Sequence, residues 1–133
     1  MNIALILSGG TGARLGAEVP KQYLEEGGRP ILSYCVETLS LHVGIDAIQI
    51  VAEPYWRPQI AGWLEAADKG RKFRGFSHPG GNRQLSILHG LEDIAQYAKD
   101  TDYVLVHDAA RPLLSSGLIS GCLEEVKGHD GAL

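Results

Sequence analysis

The sequence predicts an α/β fold, a mostly parallel sheet covered by helices, and three observations carry that reading. Short apolar runs alternate with segments of helical periodicity along the chain. The first run, Asn2 to Ser8 (NIALILS), is continuously apolar, as a strand buried on both faces must be. The three unusual loops, at 9–21, 78–84 and 107–112, each follow a predicted strand. Such alternation implies parallel strands joined by right-handed crossovers, with ligands bound beyond the carboxyl ends of the strands. The three loops are therefore expected on one rim.

The elements follow in order. After the first strand, Pro30 suits the first position of a helix in which Ile31, Leu32, Cys35 and Leu39 recur at helical spacing. Ala47 to Ala52 (AIQIVA) is a second strand. Pro58 opens a second helix that carries Ile60, Trp63, Leu64 and Ala67. Phe73 to Phe76 is a short third strand, Leu85 to Tyr97 a helix, and Tyr103 to Val106 (YVLV) a fourth strand. A last helix spans Ser116 to Val126, capped by Ser115 or Ser116. The closing "GHDGAL" reads as a turn and the first residues of another strand. The expected organisation is thus one domain, 1–133, that is incomplete.

Composition narrows the function classes. The chain has 133 residues, 44% of them apolar and 21% charged, enough for a sizeable core and too apolar for disorder. A net charge of −4 and a pI near 5.7 give no reason to expect nucleic acid. No stretch approaches the roughly 20 apolar residues of a membrane span, and "MNIALILSGG" has no basic segment before its short apolar run. Cys35 and Cys122 both sit in apolar helical patterns, which suits reduced, buried thiols better than a disulfide framework or a zinc site. The chain reads as soluble and cytoplasmic. Its 17 glycines, roughly twice the average usage, gather at 9–16, 27–28 and 80–81, which points to specialised loops.

The first of these loops sits in "LSGGTGARLGAEVPKQY", residues 7–23, where Arg14 and Lys21 accompany the glycines. A P-loop needs a Gly-Lys pair, and none occurs. A dinucleotide fingerprint needs G-x-G-x-x-G, whereas Gly10, Gly12 and Gly16 give G-x-G-x-x-x-G, and Glu53 lies too far on to serve as its acidic residue. There remains a strand, a loop carrying G-G-x-G-x-R, and a lysine seven residues after the arginine.

"LSGGTGARLG…PKQYLEEGGRPIL" resembles the signature of nucleotidyltransferases that join a sugar phosphate to a nucleoside triphosphate. Together with "HDAARP" at 107–112, PKQY is similar to the 2-C-methyl-D-erythritol 4-phosphate cytidylyltransferase family. Ribitol-5-phosphate cytidylyltransferases share both motifs, and the Gly9-Gly10 opening is more typical of them than the Pro-Ala-Ala-Gly of the methylerythritol enzymes. The resemblance implies a Rossmann-like three-layer sandwich and transfer of CMP from CTP to a polyol phosphate with release of pyrophosphate. It also implies Mg²⁺ as cofactor and a homodimer in the full-length family, whose distal half supplies part of the acceptor site. A nucleotide-binding fragment without turnover is the alternative from another class.

Two polyanions must meet in such a reaction, so donors are needed where charge develops. By resemblance, Arg14 and Lys21 are the catalytic cations. Ser8, Gly9, Gly10, Thr11 and Gly12 belong to the nucleotide cradle, whose backbone N–H groups suit phosphate oxygens. "HPGGNRQLSI" at 78–87 matches a second glycine loop that closes over cytosine, with Gly80 and Gly81 leaving room, Asn82 beside them, and Ser86 donating to the base. Arg83 and Gln84 are expected to bridge this loop to the first motif. Asp108, just after the strand, is the expected metal ligand, while Asp108, Ala109 and Arg111 approach the acceptor. His107 is expected to be structural.

Overall fold

A computed structural model of the chain describes residues 1–9, 19–111 and 114–127. Four parallel strands form the sheet: β1 (Asn2–Leu7), β4 (Ala47–Val51), β5 (Phe73–Ser77) and β6 (Tyr103–Asp108). A two-stranded hairpin, β2 (Glu25–Glu26) and β3 (Arg29–Pro30), precedes α1 (Ile31–Leu41); α2 (Arg57–Ala67), α3 (Arg83–Ile94) and α4 (Ser116–Glu125) complete the helices. The strand order is β5-β4-β1-β6, with all neighbours parallel.

Side chains of the central strands alternate between two cores, as a period of two requires. Ala4, Ile6, Ile48 and Ile50 pack beneath α1, α2 and α4 with Leu32, Val36, Leu39, Ile60 and Ile119. Ile3, Leu5, Ala47 and Val51 face α3 with Ile94 and the half-buried Ile87. The crossovers from β1 to β4 to β5 thus lie on one face, and the return through α3 to β6 lies on the other. Right-handed connections produce this segregation when the direction of travel reverses. Reversal falls between β1 and β6, which makes the space above that pair the topological switch point.

Three local readings change. Pro30 ends β3 and stands as the N-cap of α1 with extended backbone, so Ile31 is the first helical residue. The β2–β3 hairpin has no counterpart in the sequence reading. Its Gly27-Gly28 turn has φ of 62° and 83°, the paired left-handed conformation of a tight two-residue hairpin loop. The fourth strand also runs on through His107 to Asp108, paired in register with Leu7. Ser115 caps α4, its Oγ accepting the Leu118 N–H at 3.0 Å. The closing stretch 128–133 lies outside the described residues, and among those described no helix is long and apolar enough to cross a membrane.

Candidate active site

Beyond the carboxyl ends of β1, β5 and β6 lies a cavity of about 580 Å³. Leu7 and Gly9 line it from the end of β1, and Gln22 from the short 3-10 turn Lys21–Tyr23. The loop after β5 contributes Gly80 to Arg83 and Ser86, and the end of β6 contributes Asp108, Ala110 and Arg111. The described parts of the three loops converge on one rim, at the switch point.

Each wall has a local cause. Asn82 is the N-cap of α3, its Oδ1 accepting the Leu85 N–H at 2.8 Å, which leaves its amide NH₂ without a partner among the described residues. Ser86, buried in the first turn, accepts the Gly80 N–H on Oγ at 3.0 Å and keeps its own proton to donate. A Cβ at Gly80 would meet Leu85 Cβ at 2.3 Å and Ser86 N at 3.0 Å, so Gly80 is bare because the first turn of α3 presses on it. Gly81, where a Cβ would meet no described residue within 4 Å, is the position that leaves room in the cavity. Gly9 is tight against the facing loop: its Cβ would lie 2.7 Å from Pro79 Cβ.

Asp108, one-third exposed, stands between two guanidinium groups. Arg83 Nε lies 3.5 Å from Oδ1 and Arg111 Nε 3.8 Å from Oδ2. Arg83 therefore ties the second glycine loop to the end of β6; the first motif it was expected to reach lies mostly outside the described residues. His107, expected to be structural, donates its Nε2–H to the Arg111 carbonyl at 3.0 Å.

Two expected contact residues lie beneath the cavity instead of in it. Ser8 is 1% exposed, and all of its polar groups are engaged within the protein. Its N–H donates to Val51 O at 2.8 Å, its carbonyl accepts Gln22 Nε2 and Tyr23 Oη at 2.9 Å each, and its Oγ meets Tyr23 Oη at 2.6 Å. Ala109 is fully buried in the core and its N–H donates to Leu7 O at 3.0 Å, so its neighbour Ala110 forms the wall. Neither has a side chain or N–H left for a ligand.

Lys21 is exposed at the start of the 3-10 turn, next to Gln22 but outside the lining. Gly10, Thr11, Gly12 and Arg14 lie outside the described residues. Sequence reasoning passed over Leu7, Gln22 and Ala110 as wall residues, although Gln22 and Ala110 stand inside the quoted PKQY and HDAARP motifs.

The sequence profile of 2-C-methyl-D-erythritol 4-phosphate cytidylyltransferase (IspD) matches residues 2–133. The chain belongs to this family. The bifunctional enzyme IspD/IspF of Bradyrhizobium diazoefficiens is 38% identical over 129 residues, covering 97% of this chain and 31% of that protein. The 2-C-methyl-D-erythritol 4-phosphate cytidylyltransferase of Dechloromonas aromatica is 37% identical, covering 92% of this chain and 53% of its own. A ribitol-5-phosphate cytidylyltransferase of Vibrio parahaemolyticus is 36% identical across 100% of this chain and 56% of that protein. The crystal structure of 4-diphosphocytidyl-2C-methyl-D-erythritol synthase from Anaerococcus prevotii superposes with a TM-score of 0.73 at 29% identity, covering 96% of this chain and 51% of that one. The chain thus spans between about a third and just over half of these relatives.

For a divalent cation, no cluster of three or more His, Cys, Asp or Glu exists among the described residues. A lone carboxylate at a strand end nonetheless suits Mg²⁺, which is commonly held by one or two carboxylates together with substrate phosphates. Asp108 fits that pattern.

Proposed function

We propose that this chain forms the CTP side of a cytidylyltransferase that transfers CMP to 2-C-methyl-D-erythritol 4-phosphate. The observation that supports it most is the meeting of three motif-bearing loops in one cavity at the switch point, in a chain of this family. An oxygen of the acceptor phosphate attacks the α-phosphorus of CTP and forms a new P–O bond. The bond from that phosphorus to the bridging oxygen breaks, and pyrophosphate leaves with its electron pair.

The work of the protein is alignment and charge stabilisation. Backbone N–H groups of Gly9, Gly10, Thr11 and Gly12 cradle the triphosphate. Arg14 offers a planar fork to phosphate oxygens, and Lys21 a compact, mobile charge able to follow the α-phosphate into its five-coordinate transition state. Ser86 donates its free proton to the polar edge of cytosine, beside the space at Gly81 and the free amide of Asn82. Asp108 would hold Mg²⁺, which would neutralise phosphate charge when bound. Arg111 turns from Asp108 to the acceptor phosphate, an exchange made easy by a solvent-exposed ion pair worth at most about 1 kcal/mol.

Ribitol 5-phosphate is the second acceptor to consider, favoured by the Gly9-Gly10 opening and by the Vibrio relative. The deciding experiment supplies the intact polypeptide with CTP, Mg²⁺ and each polyol phosphate in turn, and measures pyrophosphate release. Release with methylerythritol phosphate well above that with ribitol phosphate is expected. The reverse order would transfer the assignment to the ribitol reaction, and release with neither would remove the enzyme reading.

A further inference from the structure

We infer that Tyr23 and Ser8 are positioning residues for Lys21, their paired hydroxyls fixing the turn that carries its ammonium group. The inference rests on the proposed role of Lys21 as a cation acting on the α-phosphate. Lys21 itself is exposed, on a flexible four-carbon stem, so where its charge can reach depends on where its backbone is held.

A three-residue 3-10 turn holds itself poorly. Among the described residues it has two backbone bonds, Tyr23 N–H to Pro20 O at 2.9 Å and Leu24 N–H to Lys21 O at 3.2 Å. The remaining anchorage comes from the two buried side chains of the turn, Gln22 and Tyr23, and both bind the same residue. Tyr23 Oη has one proton and gives it to the Ser8 carbonyl, so at the 2.6 Å contact Ser8 Oγ–H is the donor and Tyr23 Oη the acceptor. The two hydroxyls and one carbonyl close a ring of bonds. Gln22 Nε2 fills the second acceptor site of that carbonyl.

Ser8 is followed directly by Gly9, a wall of the cavity, and its N–H is bonded to the end of β4. The network therefore ties the Lys21 turn to the strand end that enters the site. The Tyr23 ring is held separately, with centroids 4.6 Å from Trp56 and 5.6 Å from Trp63. Phenylalanine would make those contacts equally well, and a buried hydroxyl is costly unless bonded. The hydroxyl thus adds register, not burial.

That separation makes the inference testable in the intact enzyme. Tyr23→Phe and Ser8→Ala should each lower kcat about tenfold to a hundredfold while KM for CTP stays within about twofold. The double variant should be no slower than either single one, because both break the same ring. In a Lys21→Ala background, Tyr23→Phe should have no further effect. Unchanged kcat in both single variants, or an equal proportional loss with and without Lys21, would overturn the inference. A slow Lys21→Ala beside an unimpaired Tyr23→Phe would overturn it alone, whereas full turnover by Lys21→Ala would overturn the reading beneath it as well.

Discussion

Lys21 and Asp108, the cation and the carboxylate flanking the site, are held in opposite ways. The turn of Lys21 is anchored from below by buried groups: a Tyr23 ring 4% exposed, packed at a tilt against Trp56 and Trp63, and a set of short hydrogen bonds to Ser8. Burial also raises the Tyr23 phenol above its ordinary pKa, against the lowering effect of Ser8 and Gln22, so it remains a proton donor throughout the working range. Asp108 rides on a strand end paired with β1, but among the described residues its carboxylate is held only by two exposed guanidinium groups at 3.5 and 3.8 Å. The difference teaches where each can change. A buried polar network resists rearrangement because every bond lost strands a desolvated group, whereas exposed ion pairs exchange partners at little cost. Lys21 is built on a fixed base, and Asp108 is free to trade its arginines for a metal cation.

The comparison breaks most severely at Tyr23. Tyr23→Ala removes the ring from between two tryptophans and should cost about 3–5 kcal/mol of stability by denaturant titration. A loss below about 1 kcal/mol would mean that the turn does not depend on its buried base.

A smaller effect appears with acid. Burial would raise the Asp68 carboxyl, but the Lys72 N–H, the Ser40 hydroxyl and the Phe73 N–H more than offset it and hold the pKa below the usual carboxylate range. Glu37 is held low by Lys69 and Arg29. Because the folded values are depressed, these groups stabilise the fold above the unfolded value of about 4, and that contribution disappears as pH falls through the folded values. The thermal midpoint should therefore hold from neutrality to about pH 5 and drop below about pH 4, less steeply in Asp68→Asn. An equally steep drop in that variant would remove Asp68 from the account.

Asp108→Asn should change stability least, by less than about 1 kcal/mol, since only exposed pairs are lost. Its effect belongs to the metal: half-maximal activity should require much more Mg²⁺. An unchanged metal titration would leave Asp108 as a partner for Arg83 and Arg111 alone.

The sequence made the sheet and its helices legible because runs such as NIALILS and YVLV are apolar and bounded, a signal that survives without tertiary information. The loop motifs were legible in chemistry but not in division of labour. Ser8 looked like part of an anion cradle, yet a hydroxyl at the end of a buried strand found Tyr23 across 15 residues, a pairing that no spacing encodes. Ala109 looked like motif and proved to be core, because a strand running two residues past YVLV turns it inward. Gly80 and Gly81 were read together, and only the packing of Leu85 separates a glycine required by the helix from one that leaves the cavity open. The β2–β3 hairpin, two residues a side, is too short to carry a periodic signal.

The central claim is that an anchored Lys21 acts on the transition state rather than on bound CTP. Steady-state kinetics of Lys21→Ala in the intact enzyme test it directly. Loss of one such donor should lower kcat by about 10²–10³ with KM for CTP little changed. Turnover near that of the unaltered enzyme, or a loss confined to KM, would contradict it.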